Sequence, residues 1–366
     1  MPVFVFLLLQ YESFHTVFSS PESMRKRLRN CIHGKIPKVD AVRDALSLAD
    51  PKETEGIFTA ILKKIRKNGV LRGGTIGGYV TAAIDGVELF CSKKKSCTNC
   101  LTRRTASGEV EYFHKSIVCA TIGSNPHLIL GQDMLGPRDG TDKDEGELTG
   151  GKRLIETLYH QQGHFADVIV ADGLYLNAPF LKVILGCHMD AVIRLKDERR
   201  LIFQDAEGLF KKGRGKKDAF YSEGKKIECW DLDGFEIEGL DKELRVVRYR
   251  EKNEKTKEEK MMWLVTTSKM IDRKILWKMM HKRWDIEENA FHQLKTYYHA
   301  DHCYCHKAVE VIFLIMLMAY NIREMYLYRR IHGFEGSGIT RKSVTRIFRD
   351  DLQVEAVRKI LYIEDG

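Results

Sequence analysis

Apolar residues recur at helical spacing through the first 75 positions, broken by basic clusters at Met24 to Arg29 and Lys63 to Lys67, the pattern of short amphipathic helices. Ile57, Ile61 and Ile65 fall on one face of such a helix. Gly73, Gly74, Gly77 and Gly78 end it, and Tyr79 to Asp85 reads as a short buried strand. His114 to Ile122 and His127 to Gln132 read as two further strands, joined by the turn chemistry of Gly123, Ser124, Asn125 and Pro126. Glu145 to Gly163 has helical spacing through Leu148, Leu154, Ile155 and Leu158, and Asp167 to Asp172 follows as a continuous apolar strand. Pro179 to Leu185 then reads as a helix and Met189 to Leu195 as a strand. From Lys196 to Met262 charged residues and short alternating runs, such as Phe235 to Glu238 and Leu244 to Arg248, indicate a β-rich insertion. After Ser268 the pattern is helical across Ile271 to Tyr298 and again across Val309 to Tyr328.

The order β-β-β-α-β-α-β predicts an α/β fold with a mixed sheet flanked by helices, and it is the RNase H-like order. The divisions it suggests are a helical amino-terminal region suited to DNA binding (1–75), the first part of the core (76–196), the β-rich insertion (197–268), a helical second part of the core (269–335) and a carboxy-terminal tail (336–366). Met1 to Leu9 is apolar but lacks a preceding basic residue and a following small-residue cleavage site, so a core-facing helix or strand is favoured over a signal peptide. Val309 to Tyr328 carries Asn321, Arg323 and Glu324 and reads as a buried helix rather than a membrane span. Sixty Lys plus Arg against 51 Asp plus Glu give a net charge of +9, which suits a polyanionic partner without requiring one. Nine cysteines, an odd number over a long chain, point to a reducing cytoplasm rather than a disulfide framework.

Asp85 and Asp172 each close an apolar strand, at the sheet edge where open α/β folds bind ligands. Either alone reads equally well as a turn or helix cap. A third carboxylate lies in the run Arg283 to Lys295, where Arg283 and Glu287 are i,i+4 neighbours and Ile286, Phe291 and Leu294 mark a docked face. A surface salt bridge is the plain alternative. Three such carboxylates suit two Mg²⁺ or Mn²⁺ ions, which prefer hard oxygen ligands and would promote in-line phosphoryl displacement. Arg283 and Lys295 are the candidate phosphate contacts.

The segments AAIDG (82–86), VIVADGLYLNAPFL (168–181), MWLVTTS (262–268) and RWDIEENAFHQLKTYYHADHCY (283–304) resemble those of bacterial insertion-sequence transposases of the DDE type. The resemblance implies an enzyme that cuts transposon ends and transfers strands into target DNA. Asp85, Asp172 and Glu287 would be catalytic metal ligands, and Arg283 and Lys295 would contact the DNA backbone. Trp263 would stack on a flipped base, a role weighed equally against that of a core tryptophan. The implied partners are double-stranded terminal repeats and target DNA, bound by a homodimer assembled on DNA in a bacterial or archaeal cytoplasm, with no membrane. The chain departs from the pattern in three places. Met280 stands for the signature tyrosine, Lys295 comes one residue late after Glu287, and Gly86 is followed by Val87 instead of a hydroxyl residue. A catalytically silent DNA-binding descendant and an RNase H-like nuclease without strand transfer are the other functional classes to be weighed. Cys97-x-x-Cys100 has zinc-ligand spacing, and with His302 and Cys303 it makes a second candidate site, for Zn²⁺, set against thiols and imidazoles that hold no metal.

Overall fold

A computed structural model describes residues 2–330 except 12, 16–24, 27–28, 31, 33 and 138–142, together with 343, 346 and 347. Much of the basic cluster at Met24 to Arg29, and nearly all of the tail from 336, lie outside the described residues. The chain divides into two compact units, one made of 1–65, 88–115 and 290–366, the other of 66–87 and 116–289.

The second unit is built on the mixed sheet and holds β1 (Thr81–Ser92) up to Val87 and β3 (Val110–Thr121) from Ser116. With β4 (Ile129–Met134), β5 (Val168–Ala171) and β6 (Asp190–Arg194) these strands lie in the order β4-β3-β1-β5-β6, the RNase H-like arrangement. β1, β5 and β6 are mutually parallel, with Thr81 opposite Val168 and Val168 opposite Asp190. Helix α4 (Glu147–Gln162) leads from β4 into β5, and α5 (Ala178–Gly186) connects β5 to β6. A parallel pair needs such a crossover, and strands covered on both faces read as unbroken apolar runs, as Val168 to Ala171 does.

The segment after β6 starts with helix α6 (Leu201–Lys211) and then forms β7 (Lys216–Ser222), β8 (Lys225–Phe235), β9 (Leu244–Asn253) and β10 (Glu259–Thr266). These four antiparallel strands extend the same sheet, because β10 pairs with β6 through Leu264 to Thr266 opposite Val192 to Arg194.

Helix α7 (Arg273–Lys282), which leads to Arg283, is fixed to this extension by buried charge. The Asp231 carboxylate accepts from Arg245 at 2.7 Å and from Arg273 at 2.6 Å. Glu251, 4% exposed, accepts from Trp277 Nε1 at 3.0 Å, His281 Nε2 at 2.6 Å and Lys225 Nζ at 3.0 Å. Despite burial, these donors hold its carboxyl down at about 2.

In the first unit, α1 (Pro2–Leu8) packs on α9 (Val309–Arg329) and buries Val3, Phe6, Leu7 and Leu8, which accounts for the apolar start of the chain. Asn321, Arg323 and Glu324 are fully buried in α9, and Arg323 donates to Gln293 at 2.6 Å on α8 (His292–Tyr298). No described helix is long and apolar enough to cross a membrane. The unit also holds the short strand β2 (Leu101–Arg104), paired with the start of β3, and helices α2 (Val39–Leu48) and most of α3 (Pro51–Lys67). On α3 the buried face is Thr54, Phe58, Leu62 and Ile65, whereas Ile57 is exposed. The face expected from the isoleucines is therefore rotated toward the bulkier Phe58.

Candidate active site

Asp85 does not end its strand. β1 runs on to Ser92, so Asp85 sits mid-strand, where its neighbours Ile84 and Val87 are buried. Its Oδ1 accepts from the Gly86 amide at 2.8 Å, and its Oδ2 accepts from Arg283 Nη1 at 3.2 Å. Asp172 stands where expected, immediately after β5, and its Oδ1 caps the following turn by accepting from the Leu174 amide at 2.8 Å.

Arg283, 5% exposed, follows α7 directly, and its second guanidinium nitrogen donates to Glu287 Oε1 at 3.2 Å. One guanidinium thus bridges Asp85 and Glu287. Glu287 lies in a π-helical turn, Ile286–Phe291. Such a turn holds roughly one residue more than an α turn, and the Glu287 to Lys295 interval is one residue longer than the transposase pattern. The segment is held from the other side by Asp285, which accepts from the Gly123 amide at 2.9 Å in the β3–β4 turn.

Burial pushes the Asp85 carboxyl up to about 6, and the charges of Glu287 and Glu147 push the same way against Gly86 and Arg283. Glu147, in the first turn of α4, is a residue that sequence reading missed, because an acid there is the ordinary complement to a helix dipole. The structure brings it to the acidic group through Tyr175, whose buried hydroxyl lies 3.4 Å from Glu147 Oε2. The Tyr175 phenol is pushed far up by burial and by the charges of Glu147, Asp85 and Asp172. Gly151 makes this approach possible, since a Cβ there would stand 2.9 Å from Tyr175 Cε1.

The other candidates fall differently. Lys295 is exposed on α8 in the first unit. Trp263 is 8% exposed, packed 4.6 Å from Phe203 and 5.7 Å from Phe210 between ring centroids, the setting of a core tryptophan. Trp284, beside Arg283, is 52% exposed, with the Arg283 guanidinium 4.7 Å from its ring centre. In the Cys/His group, His114 and His306 join Cys97 and Cys100 in place of His302 and Cys303, with all four donor atoms within 4.8 Å of one another.

Asp85 and Glu287 with the buried Arg283 between them, and Asp172 at the end of the neighbouring strand β5, form the acidic group of the second unit, while among the described residues the donor atoms found close enough together to hold a metal ion are those of Cys97, Cys100, His114 and His306. The family model of the transposase DDE domain matches residues 100–322, more than half of the chain, and the chain belongs to that transposase family. Comparison with curated protein sequences finds no match. Among solved structures, the chain is similar to a piggyBac transposase in a synaptic complex with hairpin DNA, at 12% identity and a TM-score of 0.44. The similarity covers 77% of this chain and 54% of that one, so this chain spans about half the length of that transposase.

Proposed function

We propose that this chain cleaves DNA at transposon ends and joins the freed 3′-hydroxyl to target DNA, with Asp85, Asp172 and Glu287 as the ligands of two Mg²⁺ or Mn²⁺ ions. The observation that carries this reading is that Asp85 and Glu287 meet at one buried guanidinium, that of Arg283, with Glu147 close enough to act on Asp85. Burial holds the Asp85 carboxyl up at about 6, against the pull of Gly86 and Arg283. Carboxylate oxygens gathered in this way are hard donors that suit a divalent cation. Bound ions would supply activation of the attacking water or 3′-hydroxyl and stabilisation of the leaving oxygen.

The chain's own residues do the positioning. Arg283 fixes one oxygen of Asp85 and one of Glu287, while the Gly86 amide fixes the other oxygen of Asp85. The Leu174 amide fixes Asp172 in the same way. Tyr175, fully buried against Gly151, carries its hydroxyl to Glu147. Trp284, exposed beside Arg283, offers a ring on which a base can stack. Double-stranded terminal repeats and target DNA are the partners, on a homodimer formed with DNA.

The test is cleavage of a plasmid carrying the element's own terminal repeats with Mg²⁺ or Mn²⁺, comparing the natural chain with Glu287→Gln. Metal-dependent 3′-hydroxyl ends and joined products from the natural chain alone support the reading. Equal binding of the repeats by both with cleavage by neither makes the chain a silent DNA-binding relative, and cleavage without joining makes it a nuclease.

A further inference from the structure

Four soft donor atoms of the first unit converge in a place that phosphoryl transfer does not use. Cys97 and Cys100 lie in the turn between β1 and β2, His114 lies on β3, and His306 begins the short turn that leads into α9. The sulfurs of Cys97 and Cys100 are 3.6 Å apart. His114 Nε2 lies 3.5 Å from Cys97 Sγ and 3.4 Å from Cys100 Sγ, and His306 Nε2 lies 3.2 Å from Cys100 Sγ.

Those four separations are close to the edges of a ligand tetrahedron, and the remaining pairs lie within 4.8 Å. Bonds of about 2.3 Å to sulfur and about 2.0 Å to nitrogen, at tetrahedral angles, set neighbouring ligand atoms roughly 3.3 to 3.8 Å apart. The backbone is shaped to match. The Cys100 amide donates to the Cys97 carbonyl at 3.2 Å, and the Cys97 amide points at Cys100 Sγ at 3.4 Å, so the turn is wrapped around the sulfurs. A sulfur gap of 3.6 Å is no disulfide, whose bond is about 2.0 Å, and both cysteines are free. A redox dithiol has no need of two imidazole nitrogens drawn from distant parts of the chain onto the same sulfurs.

We propose that Cys97, Cys100, His114 and His306 form a closed, structural Zn²⁺ site that clips the β1–β2 turn and β3 to the start of α9. Two thiolates and two imidazoles select zinc over the hard cations suited to the carboxylates, and four protein ligands leave no open position for chemistry. The site supplies order where local sequence supplies little. The turn from Lys93 to Cys100 has no regular structure, and Lys93, Lys94 and Lys95 on it are exposed. His306 is separated from Cys100 by 206 positions, so the clip joins segments that no local interaction would bring together.

The experiment measures metal in the full chain, purified under reducing conditions without chelator. Elemental analysis is expected to give a single zinc per chain, as a closed four-ligand site requires. After exchange, Co²⁺ should show the visible bands of tetrahedral geometry and a thiolate charge-transfer band. Cys97→Ser and His306→Asn should each lose the metal, while Cys303→Ser and His302→Asn should keep it. A natural chain that takes up neither Zn²⁺ nor Co²⁺ overturns the proposal, as does loss that follows Cys303 or His302 instead of His306. If the ligand variants do not fold, the Co²⁺ spectrum of the natural chain decides alone: an octahedral or thiolate-free spectrum refutes the site.

Discussion

Replacing Asp85 with asparagine should stabilise the protein while abolishing DNA cleavage. Asp85 is held at about 6 against an ordinary value of 3.8, so the folded state binds its proton more tightly than the unfolded chain does. The stability associated with that proton is complete below pH 3.8 and is lost as pH rises to about 6. At neutral pH the ionised group therefore costs the fold about 3 kcal/mol. Two features of the site reduce what the substitution recovers. The side chain is 22% exposed, and asparagine can keep the Gly86 bond through one oxygen but cannot also accept from Arg283 through a second. Arg283 retains Glu287, so no buried charge is left unpaired. A gain of about 2 kcal/mol at pH 7 is expected on these grounds. The assay is urea unfolding of the natural chain and Asp85→Asn without divalent cations, at pH 7 and near pH 4. Carboxylates common to both proteins cancel in the difference, which should be largest at pH 7 and nearly gone at pH 4. An Asp85→Asn protein that is no more stable than the natural chain at pH 7, or whose advantage does not shrink with acid, would refute the reasoning.

Glu251→Gln should show the opposite sign, because Glu251 is held at about 2 against an ordinary 4.5. Its stabilisation is present above pH 4.5 and lost toward pH 2, so the variant should be about 3 kcal/mol less stable at pH 7 in urea unfolding, with the gap narrowing in acid. Gly151→Ala should lower stability by about 1–3 kcal/mol through overpacking against Tyr175, read as a drop in melting temperature. Trp263→Ala should cost about 3–5 kcal/mol of stability as a core truncation. Trp284→Ala should change stability by less than about 0.5 kcal/mol, while cleavage of a transposon-end substrate falls by roughly 5- to 150-fold, the worth of one base stack.

The central sheet was legible because its parallel strands are short apolar runs separated by a helix with clear spacing, and Asp172 follows such a run directly. Asp85 was placed correctly on β1 but not within it. The strand continues through Gly86, Val87 and Glu88 with no local signal that pairing goes on. The helix carrying Arg283 and Glu287 was visible, yet its π turn was not, since periodicity over a few residues does not separate one turn type from another. Trp263 shows the limit of motif reading. The rings that Trp263 packs on, Phe203 and Phe210, lie more than fifty positions earlier, so its burial could not be read from its own neighbourhood. Cys97 and Cys100 were recognised by spacing, but their companions depend on which His or Cys of distant segments arrives. His114 carries the pattern of a strand residue, and only the fold brings it to the two sulfurs.

The ladder between β6 and β10 has a mechanical consequence. Three consecutive residue pairs, Val192 to Arg194 against Thr266 to Leu264, weld the strands after α6 onto the sheet that carries Asp172. A segment joined by a flexible tether could swing aside to admit a bulky polymer. This one cannot swing without tearing backbone hydrogen bonds and opening the core beneath Trp263 and Leu264. Any yielding of this segment must come from the turns at its far end, such as Asn253 to Glu258, while the strands next to β5 stay stiff.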